Sequence, residues 1–293
     1  MSSERKALVV VGLAIIVVSF AAILIRLCTV PTAVIAAWRL GFASLVLLPV
    51  FLTTGGGRGI SRRQAGLCIL AGLFLSFHFL LWIESLKLTT VASSVVLVTT
   101  SPIFAAVFGW IFLKEGIGRR TLLAIICCML GSLTIGRGDI HIGAAMLRGD
   151  LFALGGAAAF GAYFVIGRSV RQHVGFLPYV FLAYSASAVM LLVWAVATRH
   201  ALIGFAPINY LWLLLLALGP QVFGHSSLNW ALGHLAAPKV AISVLGEPIG
   251  SALLAWLIFH EVPGAPLFIG GVLILAGVYL AMTDPHDPHD PHS

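Results

Sequence analysis

The chain has 293 residues, 60% of them hydrophobic and only 9% charged, with a mean hydropathy of +1.07. Soluble domains carry about 25% charged residues, so this sequence lacks the polar surface to cover a water-soluble globule, and a polytopic membrane protein is the class that remains. The formal charge of +7 calls for no nucleic-acid partner, because loops on the cytoplasmic face of a bilayer are enriched in Lys and Arg.

A spanning helix needs about 20 predominantly apolar residues, and the breaks between such stretches predict ten helices. The first, 7–25, follows Arg5 and Lys6 and runs into Arg26. It is too long for a signal-peptide core and lacks a small-x-small cleavage site, so it reads as a retained helix. The second, 33–53, carries Arg39, about two turns in, where a snorkelling anchor is expected over a substrate clamp. The third, 64–84, holds His78 and Trp82, and the fourth, 91–113, holds Ser101 and Pro102. The fifth, 119–136, contains Cys127 and Cys128; with Cys28 and Cys68 they show no metal or disulfide spacing and read as small packing residues. The sixth, 149–168, brings Tyr163 and Phe164, and the seventh is 176–198. The eighth, 208–232, carries His225 and Asn229; the ninth, 238–260, carries Glu247, Pro248 and Ser251; the tenth is 265–282. The remaining 283–293 ends in DPHDPHDPHS, a proline-punctuated repeat expected to be disordered.

Basic residues set the expected orientation. Eleven Lys and Arg fall on the side of the N-terminus and five on the other, with Arg39 inside a helix, so both termini are expected in the cytoplasm. The chain also repeats itself. SPIFAAVFGWIFLKE (Ser101 to Glu115) aligns with EPIGSALLAWLIFHE (Glu247 to Glu261) at an offset of 146. In that register Pro102 meets Pro248, Trp110 meets Trp256, Glu115 meets Glu261, Gly118 meets Gly264 and Gly131 meets Gly277. Each half, 1–136 and 149–282, then holds five helices. Five is odd, so the second half enters the membrane inverted, an arrangement many transporters use around a midplane site.

SLKLTTVASSVVLVTTSPIFAAVFGWIFLKE, its partner ALGHLAAPKVAISVLGEPIGSALLAWLIFHE, and WRLGFASLVLLP in the second helix together resemble the EamA family of the drug/metabolite transporter superfamily. The resemblance covers nearly the whole chain, and within that family it is nearest to the bacterial aromatic amino-acid exporters of the YddG type. It implies an all-α transporter of ten transmembrane helices in the bacterial inner membrane. It further implies aromatic amino acids as cargo and no cofactor.

The residues themselves place candidates for chemistry. Pro102 and Pro248 sit near bilayer mid-depth, and each is expected to free a carbonyl four residues back, Val98 and Val244, for neighbouring hydroxyls of Thr99, Thr100, Ser101 and Ser243. Glu247 is the one acidic residue near mid-membrane, with Ser101 at the matching position. It is a candidate proton carrier, ammonium anchor or structural gate. Gly246 and Gly250 allow close helix approach. His78 and His225 occupy near-equivalent places, and with Trp82, Ser101, Tyr163, Phe164, Asn229 and Ser251 they are the expected cavity lining, in a protein acting as a monomer. Phe77, Phe160, Phe223 and Trp230 add candidate aromatic walls, while Trp194, Tyr210, Trp212 and Tyr279 suit an interfacial belt. No metal-ligand spacing occurs. An intramembrane enzyme would need clustered acids, a nucleophile with its base, or a zinc set, and one glutamate with two histidines does not supply them. A transporter of another metabolite or drug and a passive facilitator or channel are the alternatives.

Overall fold

Lipid offers the backbone no hydrogen-bond partners, so apolar stretches of this length satisfy themselves as helices. In the computed structural model the described residues are 3–89, 91–114, 116, 118–136, 144–260 and 265–282. The tail, the 137–143 connection and the matched positions Glu115, Glu261 and Gly264 lie outside them. The elements in chain order begin with α1 (Ser3–Val18), α2 (Phe20–Leu27), α3 (Thr32–Thr53) and α4 (Arg62–Leu88). Then come α5 (Val91–Val98), α6 (Ser101–Phe108) with a π-helical turn at Gly109–Leu113, and α7 (Arg119–Gly136). The second half has α8 (Ala144–Arg171), α9 (Phe176–Ala197), α10 (Pro207–Leu216), a π-helical segment Ala217–His225 and α11 (Ser226–Ala231). It closes with α12 (Ala237–Val244), α13 (Glu247–Phe259) and α14 (Ala265–Met282). Among the described residues there is no strand.

Each of the ten apolar stretches is helical, yet several are interrupted, and interruption shortens them. Among the described residues, seven helical runs are long and apolar enough to cross a membrane: Lys6–Leu27, Thr32–Thr53, Arg62–Leu88, Leu147–Arg171, Phe176–Ala197, Pro207–Ala231 and Lys239–Phe259. Ser101–Leu113 and Phe268–Ala281 are apolar but shorter. The polarity pattern is that of a membrane protein. Phe112, Leu257 and Val272 point outward, whereas Arg39, Ser187, Gln221 and Asn229 are fully buried.

Two of the interruptions follow the repeat. α5 stops at Val98 and α6 starts at Ser101; α12 stops at Val244 and α13 starts at Glu247, the same break displaced by 146 residues. Pro102 and Pro248 each lie in the first turn of the second half-helix, where a missing N–H costs nothing. The proline therefore does not kink a continuous helix, as the sequence suggests; it starts a new one. Across the break the backbone tightens to three-residue turns, Thr100 N donating to Leu97 O at 3.1 Å and Gly246 N to Ser243 O at 3.0 Å. Hydroxyls do bond to carbonyls here, but to ones upstream of Val98 and Val244. Thr99 Oγ1 donates to Val95 O, Thr100 Oγ1 to Leu97 O, and Ser243 Oγ to Lys239 O.

α7 and α14 pack through a contact that the 146-residue exchange maps onto itself. A Cβ on Gly131 would meet Gly270 O at 2.6 Å and Ile274 Cγ1 at 2.8 Å. One on Gly277 would meet Ala124 O at 2.8 Å and Cys128 Sγ. Cys128 Sγ itself reaches Ile274 O at 3.5 Å, so this cysteine packs as expected. Ala106, Ala124, Ile125, Cys128, Ile242, Leu245, Ile274 and Ala281 form a small core here. The main core runs through α1, α3, α4, α8, α9 and α11, and the polar residues described next lie inside it.

Candidate functional site

α4 and α8 face each other along their length and bring His78 and Trp82 against Phe160, Tyr163 and Phe164. The rings form a near-parallel column. His78 stacks on Phe160 at 4.2 Å and 17°, and on Trp82 at 5.8 Å and 15°. Phe160 stacks on Tyr163 at 6.0 Å and 10°, and Tyr163 continues to Tyr179 of α9 at 6.5 Å and 23°. His78 Nδ1 lies 3.1 Å from Gly156 O. A carbonyl only accepts, so Nδ1 carries the proton and the ring is held in place.

His225 enters from the π-helical segment Ala217–His225, edge-on to Phe79 at 5.5 Å and to Phe160 at 5.6 Å. Its position follows from local sequence. Pro220 cannot donate within the helix, and the chain widens there into the π-helical segment Ala217–His225. That segment turns Gln221 and His225 inward together; both are buried. Gln221 Oε1 accepts from Arg39 Nε at 2.7 Å, and the Arg39 guanidinium carbon sits 4.1 Å from the centre of the Phe79 ring. Arg39 is 0% exposed. It does not snorkel as the sequence suggests, because Gln221 and Phe79 hold it inside the bundle, away from either surface.

Near it lie polar atoms that are buried and without a hydrogen-bond partner: Arg39 Nη1 and Nη2, Gln221 Nε2, His225 Nδ1 and Glu247 Oε1. Such atoms are normally paired, since leaving one unmade costs about 1–3 kcal/mol each. Their concentration in one place marks a site that a polar ligand can complete. Asn229 Nδ2 donates to Tyr184 OH at 3.3 Å, which orients the amide and leaves its oxygen facing the centre. Glu247, 6% exposed, is within electrostatic reach of Arg39, though no hydrogen bond joins them.

Of the residues predicted from sequence, His78, Trp82, Tyr163, Phe164, His225 and Asn229 come together here, and Ser101, Pro102, Glu247 and Pro248 stand at the two helix breaks. Ser251 does not join the cluster. Its Oγ donates to Ser19 O at 3.0 Å, occupying the carbonyl left at the α1–α2 break. Ser251→Ala is therefore expected to cost roughly 1 kcal/mol of stability, seen as a lower unfolding midpoint in detergent, with cargo selectivity unchanged. Phe77 and Phe223 also fall outside, 47% and 61% exposed: Phe77 is one residue, about 100°, away from inward-facing His78, and Phe223 sits midway between inward-facing Gln221 and His225, on the opposite face. Trp230 packs edge-on against His234 at 4.4 Å. Tyr210 packs on Trp38 and accepts from Gly204 N at 3.1 Å. Sequence reasoning missed Gln221, Tyr179, Tyr184 and Phe79, whose neighbours are fixed only by helix packing; Pro220 was the one local signal.

A separate cavity of about 600 Å³ opens between α1 and α12–α14, lined by residues such as Val11, Ile15, Ser19, Gly246, Ile249 and Leu253. None of the unpartnered central groups lines it. Gly246 and Gly250 face α1 here, against Ile15 and Ser19, so the glycine pair serves close packing. Polar groups that need partners identify a cargo site better than an apolar groove facing lipid, and the central cluster is taken as the candidate site.

A helical bundle with apolar side chains outward and buried polar groups within is that of a multi-pass membrane protein. The chain belongs to the EamA-like transporter family, which matches residues 5–137 and again 147–283. It is 26% identical over 246 residues to the uncharacterized transporter YdfC of Bacillus subtilis, covering 83% of this chain and 79% of that one. The pseudopaline exporter CntI of Pseudomonas aeruginosa is 26% identical over 253 residues, 84% of each chain. A riboflavin transporter of Vibrio cholerae is 24% identical over 260 residues, 85% of this chain and 82% of its own. One crystal structure superposes with a TM-score of 0.80 at 17% identity, covering 95% of this chain and 97% of that one, a likeness of fold.

Proposed function

We propose that this protein exports small amphipathic metabolites, aromatic and other amino acids among them, from the bacterial cytoplasm by alternating access. The observation that carries the reading is the column Trp82–His78–Phe160–Tyr163 standing beside unpartnered buried donors and acceptors. A flat apolar body fits the rings and a polar head fits the atoms beside them. In this reading the chain crosses the inner membrane ten times as a monomer, with both termini cytoplasmic. Its halves, 1–136 and 149–282, are inverted copies. The two family matches, the equivalent breaks at Val98 and Val244 and the reciprocal α7–α14 contact support that arrangement, and the eleven-to-five distribution of basic residues supports its orientation.

The breaks supply the moving parts. Half-helices α6 and α13 each pivot on a short turn and each carry a proline in the first turn, and Glu247 rides at the head of α13. The pair is the proposed gate, with Glu247 as its coupling group. Inside-out vesicles test the reading, since export there appears as accumulation. Aromatic amino acids should accumulate, and Tyr163→Ala or His225→Ala proteins that still insert should lose on the order of tenfold in flux. Flux equal to wild type in both variants would overturn the site.

A different cargo is the second reading, favoured by relatives described as exporting pseudopaline and transporting riboflavin. The same vesicles loaded with unrelated metabolites separate the two. Counterflow separates a carrier from a channel, because only a carrier is stimulated by cargo on the opposite side.

A further inference from the structure

We infer that Arg39 is a carboxylate-binding residue, its two terminal guanidinium nitrogens taking an anionic group of the cargo at the centre of the bundle. The inference rests on the reading of the central cluster as the cargo site and adds the chemical class that the site selects.

Arginine is among the costliest residues to hold inside a membrane bundle, and where it occurs there it pairs with acids or carbonyls. Arg39 is 0% exposed, and its structural contacts use only part of the side chain. Nε donates to Gln221 Oε1 at 2.7 Å, and one face of the guanidinium lies on Phe79 at 4.1 Å. These contacts orient the group and leave Nη1 and Nη2 unpartnered. Those two nitrogens form the edge of the fork that matches the two oxygens of a carboxylate. An arginine retained for packing alone would be expected to satisfy its terminal nitrogens first. Glu247 does not fill the fork: no hydrogen bond joins it to Arg39, and its Oε1 is itself unpartnered.

The surroundings favour an anion with an aromatic or apolar body. Gln221 Nε2 is a further unpartnered donor, and the ring column through Tyr163 stands beside it. Glu247, the acidic group facing Arg39, is placed to meet an ammonium, so a zwitterion has a partner at each end. The charge belongs to one half only. The corresponding stretch of α9, Ala183–Tyr184–Ser185, has no basic residue, so the site is polar along one direction although the scaffold repeats.

The test uses matched acid and amide pairs on the purified full chain in detergent: 3-phenylpropionate with 3-phenylpropionamide, phenylalanine with its amide, and hexanoate with hexanamide. Wild type should bind each acid it recognises at least about tenfold more tightly than the amide. In Arg39→Gln that preference should fall below about threefold. Arg39→Lys keeps the charge but loses the fork, and should retain part of the preference. Amides bound as tightly as acids by wild type, an acid preference that survives Arg39→Gln, or no acid binding on any scaffold would each overturn the inference. Should Arg39→Gln fail to insert, the wild-type pairs and Arg39→Lys decide between the same outcomes. An Arg39-dependent preference on the hexanoate pair, with neither aromatic pair bound, would uphold Arg39 and sink the aromatic reading. Aromatic amides bound as well as their acids, with no preference on any pair, would do the reverse.

Discussion

Glu247→Gln is expected to abolish the dependence of cargo efflux on a transmembrane pH gradient in proteoliposomes, while downhill exchange continues. The substitution keeps the shape and hydrogen-bonding reach of the side chain and removes only its ability to ionise. Glu247 is buried, has an unpartnered Oε1, and faces Arg39 without touching it. It also heads α13 directly after the Leu245–Gly246 turn, where the helix N-terminus favours a negative charge. A pivot at that turn would carry the carboxylate from one environment to another, which is what a coupling group requires. Ser101, its counterpart, cannot ionise, so Ser101→Ala serves as the symmetric control and should leave the gradient dependence intact. Gradient-driven flux that persists at wild-type level in Glu247→Gln would reduce Glu247 to a structural role.

The second large effect is expected in packing. Gly131→Val and Gly277→Val should each destabilise the protein by about 1–3 kcal/mol, measured as a fall in the unfolding midpoint in detergent and in the yield of inserted protein. At both positions the new side chain meets a backbone carbonyl, Gly270 O at 2.6 Å or Ala124 O at 2.8 Å, and a backbone cannot rotate out of the way. Because the two contacts exchange under the repeat, the two variants should be affected to a similar extent. Gly66, which has open space where a Cβ would stand, is the control. Gly66→Ala should be tolerated and gain some helix stability. Wild-type stability in either valine variant would mean that α7 and α14 do not meet as described.

Much of this molecule was legible in its sequence, for physical reasons that differ by feature. Helical stretches are visible because lipid forces long apolar runs, whereas the breaks at Val98–Ser101 and Val244–Glu247 were not: sequence reads each as one helix carrying a proline, and only the structure shows a new helix starting there. The partnership of Val98–Pro102 with Val244–Pro248 is visible because a repeat copies its register. Glu247 stands out because a lone carboxylate in apolar surroundings has few structural excuses. Arg39 was misread because its side chain is long enough either to reach an interface or to turn inward, and sequence does not say which. Ser251 was misassigned because a small hydroxyl is used by whichever carbonyl comes close, here that of Ser19.

Sequence by itself determined the membrane class, the family, the internal repeat and the pairing of Pro102 with Pro248. Each follows from composition or from order along the chain. Tertiary structure alone decided that Arg39 lies inside and on Phe79, that the π-helical turn at Pro220 delivers Gln221 to it, and that Phe77 and Phe223 face away. Those outcomes depend on which faces of six helices meet, and a rotation of one residue, about 100° on a helix, separates a side chain in the centre from one in lipid.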